Sequence, residues 1–246
     1  MMKRKIGVTV MAGLLALGAL APVASAQCPP LGSPSFPMIE FDANCFAYET
    51  NYTPATFNSA AGSQLTIVGI IDLFYAPLTF LNPADPAKEY TFVITGLTSG
   101  GTTTVPLGPT TLYLTDYAGG SFAIYEGSPE NAPLAGAMPP NPPNATVPAN
   151  FQDGTMLLSG VLCGFRTEIS KTGTGPANGS FRANYHFTGG TLFNTVGDAE
   201  ALLSGLWNVA SPLPAGYSAH PNGKFDSPPS TSAKNSTWGS IKSLYR

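Results

Sequence analysis

The chain has 246 residues, with 11 Lys and Arg against 14 Asp and Glu, and only 10% of its residues are charged. Its 27 Gly and 24 Pro, beside few Lys and Glu, argue against a helical bundle. So small a stock of cations leaves no electrostatic footprint for nucleic acid or for an anionic membrane surface.

Lys3, Arg4 and Lys5 open the chain, an apolar run follows from Ile6 to Pro22, and Ala24-Ser25-Ala26 closes it. That order of charge, apolar stretch and small residues is the signature of a secretory signal peptide over residues 1–26. The run is shorter than the ~20 strongly apolar residues a membrane anchor needs, and Gly and Pro interrupt it. Ser25 and Gln27, at the positions ahead of Cys28, are wrong for a lipid-modified cysteine. What remains after Ala26 keeps eight of the cations and all fourteen acids, a net charge of −6. It is expected to be secreted, with no transmembrane segment and with a glycan or cell-surface ligand as the partner class.

Cys28, Cys45 and Cys163 all lie beyond the signal. An oxidising compartment favours one disulfide and leaves one thiol over. The strand-like surroundings of Cys45 and Cys163 favour that pair, with Cys28–Cys45 the competitor.

Short apolar runs broken by Gly, Pro, Asn and Asp read as strands and turns. Leu65 to Tyr75 is nearly continuous and β-branched, as a central strand is. Tyr90, Phe92 and Ile94 alternate with Thr91, Val93 and Thr95. Thr111–Tyr117 and Ser121–Glu126 flank Ala118-Gly119-Gly120 and predict a hairpin. Residues 128–150 hold seven prolines and predict an extended surface loop. Thr155–Phe165 and Arg166–Lys171 continue the strands. Phe181, Ala183, Tyr185 and Phe187 alternate with Arg182, Asn184, His186 and Thr188, the clearest period of two in the chain. Asp198 followed by Ala199, Glu200, Ala201, Leu202 and Leu203 predicts a capped helix ending at Gly205. Ser227 to Asn235 is a linker, and beyond it Trp238, Ile241, Leu244 and Tyr245 recur at helical spacing, as a sorting or docking tail would.

The expected fold is all-β: a single two-layer antiparallel β-sandwich, jelly-roll-like, with one short helix near 198–206. Residues 27–37 form an N-terminal segment, 38–226 the domain, and 227–246 the linker and tail.

Reactive chemistry is sparse. The two histidines, His186 and His220, have no Gly-x-Ser-x-Gly elbow or ligand spacing beside them, which argues against a hydrolytic triad and against zinc. Glu40, Asp42, Glu49, Asp72, Asp116, Glu126, Asp153 and Glu168 are the pool from which a paired-carboxylate site would be drawn, and Asp72 stands out inside an apolar run. Asp153-Gly154-Thr155 and Gly197-Asp198-Ala199-Glu200 offer oxygens to calcium but are read first as turn and cap residues, so no cofactor is required. Tyr113, Tyr117, Tyr125 and Trp207 would stack on a sugar if exposed, and pack in the core otherwise. The reading is a secreted, non-enzymatic β-sandwich with a surface, matrix or ligand-binding role. The alternatives are a polysaccharide hydrolase using two of these acids, and a structural subunit assembling through its tail or an edge strand. Exported protein is expected to begin at Gln27, which intact mass and N-terminal sequencing check; retention of residues 1–26 in the exported form would refute the cleavage site.

Overall fold

The computed structural model describes residues 36–42, 45–132, 149–197, 200–209, 213 and 216–227. The signal segment, Cys28, Asp198 and the tail residues Trp238, Ile241, Leu244 and Tyr245 lie outside the described residues.

The strands in chain order are β1 (Pro37–Phe41), β2 (Cys45–Glu49), β3 (Tyr52–Thr53), β4 (Asn58–Ser59), β5 (Gln64–Ile70), β6 (Leu73–Phe74) and β7 (Glu89–Leu107). They continue with β8 (Thr110–Gly127), β9 (Thr155–Thr172), β10 (Ala177–Gly189), β11 (Ala201–Asn208) and β12 (His220–Asp226). All but the small β3–β4 hairpin join one ten-stranded sheet in the order β2-β5-β7-β8-β9-β10-β11-β12-β1-β6. From β7 to β12 each strand pairs antiparallel with the next in sequence. The sheet curls until β2 meets the segment ahead of β12: the Ala47 amide donates to the Ala219 carbonyl at 3.0 Å, and the Ser218 amide to the Ala47 carbonyl at 2.8 Å.

The all-β, sandwich-like expectation therefore holds, with the facing layers supplied by two halves of one curled sheet. Rings from opposite halves meet inside. Phe41 of β1 lies 4.6 Å from Phe92 of β7, and Phe225 of β12 lies 5.1 Å from Phe122 of β8. Phe165, Phe181 and Trp207 extend the cluster, and Tyr185 and Phe187 join it from β10 as the alternation predicted. Such ring pairs contribute about 0.5–1.5 kcal/mol each beyond the area they bury.

The curl passes through glycine. Gly96 in β7, Gly119 and Gly120 in β8 and Gly164 in β9 have φ of 73°, 73°, 105° and 66°. The register sets them beside one another: Leu97 faces Gly119, and Tyr117 faces Phe165, after which the β8–β9 ladder lapses until Ser121 meets Val161. A Cβ at Gly119 would stand 2.9 Å from the Gly96 carbonyl oxygen, and one at Gly120 would stand 2.6 Å from the Leu97 side chain. This corrects the hairpin expected at Ala118-Gly119-Gly120. β8 runs straight through as a bend, and the chain reverses instead at Gly108-Pro109, between β7 and β8.

Three more expectations change. Residues 201–208 are strand β11, not the helix expected near 198–206. Ala201, Leu203 and Trp207 are buried at alternating positions, and hydrogen bonding to β10 on one side and β12 on the other outweighs helix propensity. The described α-helix is a single turn, α1 (Phe193–Val196). The run from Leu65 to Tyr75 divides into β5 and the two-residue β6, with Asp72 at the break and its amide donating to the Glu40 carbonyl at 3.0 Å.

Cys45 is a free, fully buried thiol, so the expected Cys45–Cys163 disulfide does not form. β5, β7 and β8 separate their strands in the sheet. Cys45 lies in the core, whereas Cys163 is only half-buried between the inward Leu162 and Phe165. Burial pushes the Cys45 thiol well above its ordinary pKa, and Asp72 and Asp42 add to the shift, which makes it inert.

Gly119→Val is expected to destabilise the fold by about 1–3 kcal/mol through backbone strain alone. Gly108→Asn, at the open β7–β8 turn where φ is 61°, is expected to leave stability nearly unchanged. Urea denaturation of both variants checks this, and equal stabilities would refute the bend's dependence on glycine.

Candidate acidic groove

Four adjacent strands shape a groove on the outer face of the sheet. β12 pairs with β11 on one side and β1 on the other, and β1 in turn pairs with β6. The groove encloses about 600 Å³ between Glu40, Asp42 and Asp72 on one wall and Ser204, Leu206, Asn222 and Lys224 on the other. Its floor is backbone at Gly205 and Gly223, which face each other across the β11–β12 ladder. A Cβ on either glycine would meet the Phe181 ring at 2.8 Å, so the core packs directly against the floor from beneath. Leu73 and Leu206 stand exposed at the rim.

Each acid is held by a donor from the scaffold. The Tyr75 hydroxyl donates to Glu40 Oε2 at 2.9 Å, Asn222 Nδ2 to Asp42 Oδ1 at 3.0 Å, and the Asp42 amide to Asp72 Oδ2 at 2.6 Å. Lys224 is turned to the buried Asp226, 2.9 Å away, so it does not neutralise the three acids. Partial burial raises the Asp72 pKa; the Asp42 amide opposes that rise, and the charges of Asp42 and Glu40 add to it.

The other acids of the pool disperse. Asp116 is clasped by Arg166, and Glu126 by Lys88 and the Tyr90 hydroxyl. Asp153 accepts from Asn131 Nδ2, and Glu168 stands on the exposed face of β9. Glu49 is buried at the end of the curled sheet that β3 and β4 cover, where it accepts from the Ser59 and Tyr117 hydroxyls. Ser59 also reaches Ser99 at 2.6 Å, and the Gly101 amide donates to Ser99 at 3.0 Å. Burial raises the Glu49 pKa, and the two hydroxyl donors offset part of that rise.

Tyr117 and Trp207 are core residues and offer no stacking face. Tyr113 packs on Phe57, with ring centroids 5.3 Å apart, and Tyr125 packs at the edge of the cluster around Phe46. His220 stacks on Phe46 at 5.1 Å, and His186 is half-buried on β10. Among the described residues no three His, Cys, Asp or Glu side chains gather as a metal ligand set, and no helix is long and apolar enough to cross a membrane. Comparison with protein families, curated proteins and solved structures finds no match to this chain.

The acids of the groove were in the sequence-derived pool; Asn222, Lys224 and the rim leucines were not. Nothing local marks a residue of β12 as the neighbour of one in β1, and Leu206 fell at the end of the segment expected to be helical, near 198–206.

A raised pKa means that the folded state holds its proton more tightly than the unfolded chain does. The protonated Glu49 is favourable below its unfolded value, near 4.5, and that contribution is lost as pH rises through the higher folded value. Glu49→Gln, which stays neutral, should therefore match wild type near pH 4 and melt at a higher temperature than wild type at pH 7–8. Thermal melts across this range check it, and a pH-independent difference would contradict the assignment.

Proposed function

We propose that the chain is an exported, non-enzymatic β-sandwich protein whose groove binds a cationic, hydrogen-bond-donating ligand. The observation that supports this best is the arrangement of Glu40, Asp42 and Asp72: three acids on one wall, each oriented by a scaffold donor, with Lys224 engaged by Asp226. Carboxylates oriented in this way accept hydrogen bonds from a charged donor at little reorganisation cost. The exposed leucines at the rim give the apolar part of the ligand a contact, and the backbone floor admits an extended chain.

A hydrolase remains the second reading on one observation. Asp72, its pKa raised by partial burial, stands beside Asp42, whose amide donates to it, and a pair of carboxylates in one groove is the element of glycoside cleavage. Among the described residues Phe41 is the aromatic that lines the groove, and its ring is buried in the core, which favours binding of a cation over processing of a polysaccharide. A role as an assembling subunit rests on the tail that carries Trp238, Ile241, Leu244 and Tyr245, or on an edge strand.

Titration calorimetry of the exported chain with a tri-lysine peptide and with cellohexaose separates these readings. The peptide is expected to bind, to weaken as salt rises, and to lose about ten-fold or more in affinity in the Glu40→Gln, Asp72→Asn double variant. Absence of peptide binding to wild type would overturn the proposal. Release of reducing ends from a polysaccharide, lost in Asp72→Asn, would establish the hydrolase instead.

A further inference from the structure

A different acidic pair lies where both ends of the Pro-rich segment reach the sheet. Glu89 opens β7 and faces Gly127 at the close of β8. It is 95% buried, at 5% relative exposure. One of its oxygens is satisfied: Oε2 accepts the Ala132 amide at 3.0 Å, and the Asn131 amide also donates to the carboxylate. The other, Oε1, is buried with no hydrogen-bond partner. A buried carboxylate oxygen without a donor is costly and calls for a counterpart.

The space that Oε1 faces has a second carboxylate on it. A Cβ placed on Gly127 would stand 3.1 Å from Glu89 Oε1 and 3.6 Å from Asp153 Oδ1. The φ of Gly127 is not positive, so its backbone does not demand glycine; the place a Cβ would take is tight, 3.2 Å from Glu89 Cγ as well, and carboxylate oxygens border it on two sides. Asp153 presents Oδ1 there because its Oδ2 is engaged by Asn131 Nδ2 at 2.5 Å. The surrounding loop roots are tied down: Asn150 Nδ2 donates to the Asn131 carbonyl at 3.2 Å, and Thr91 Oγ1 to the Phe151 carbonyl at 3.1 Å. Glu130 adds a third negative charge nearby, while Lys88, next in sequence to Glu89, is committed to Glu126.

The geometry points to a divalent cation of the calcium class, bridging Glu89 Oε1 and Asp153 Oδ1 over Gly127 and joining the two roots of the segment 133–148. Calcium takes its donors from carboxylates, backbone carbonyls and water together, so two carboxylates on a rigid sheet edge suffice as its charged ligands. Two positive charges there would offset Glu89 and Asp153, the two acids that border the site. None of Glu89, Gly127 and Asp153 lines the acidic groove, so the inference does not rest on what that groove binds.

The test is thermal unfolding and calcium titration calorimetry of the exported chain, first stripped with EDTA, with calcium alone and with magnesium alone as probes. Saturating calcium is expected to raise the melting temperature by about 5–10 °C, with a smaller shift from magnesium. Glu89→Gln, Asp153→Asn and Gly127→Ala are each expected to abolish the calcium response. Without metal, Glu89→Gln should melt at or above the wild-type temperature, because it removes an uncompensated buried charge; a purely structural Glu89 would instead melt lower. No heat and no shift in wild type would overturn the proposal, as would a calcium shift that persists in both Glu89→Gln and Asp153→Asn.

Discussion

A sheet of strands up to 19 residues long can bury its inner face only by bending onto itself, and here the bend crosses β7, β8 and β9 at Gly96, Gly119, Gly120 and Gly164. Each of these backbones has turned into the region that L side chains avoid. The close approach of Gly119 to the Gly96 carbonyl leaves no room for a Cβ. Once the three strands turn together, Phe92 and Phe122 face Phe41 and Phe225 across the interior, and the core closes. The aromatic cluster is a consequence of the bend as much as a cause of stability.

The same closure sorts the polar groups. Glu49 is enclosed with Ser59, Ser99 and Tyr117, where hydroxyl donors satisfy both its oxygens. Glu89 is as deeply buried, yet only one of its oxygens is satisfied. A buried acid with its full set of donors is a structural plug, whereas one with an oxygen left over beside another carboxylate has the character of a site. On the outer surface, the packing of Phe181 beneath Gly205 and Gly223 places bare backbone between the side chains of β11 and β12. Bringing β1 alongside β12 then adds three acids to one wall.

How far these features were legible differs from residue to residue. The Phe181–Phe187 strand was plain because its alternation is local, and its four apolar side chains are all buried. Asn184 on the same strand is also buried, which its polar position in the alternation did not suggest. The helix expected near 198–206 gave way to strand from Ala201 because Ala and Leu suit either state when considered alone, and strands on both sides settled the matter. Asp72 was singled out as anomalous within an apolar run, and it does mark the break between β5 and β6. Its partners in the groove come from positions some thirty residues away in one direction and about 150 in the other.

The sequence by itself determined the class of structure and most of the strand positions, because side-chain period and the turn residues Gly and Pro act within a few positions of one another. It also determined which glycines had freedom to bend. Only the tertiary structure decided that Gly119-Gly120 is a bend and not a turn, that Cys45 lies in the core unbonded, and that Glu40, Asp42 and Asp72 share a wall while Glu89 and Asp153 both border Gly127. Those outcomes depend on which strands become neighbours when the sheet curls, and strand neighbourhood is set by the collective burial of the core, which no local pattern encodes.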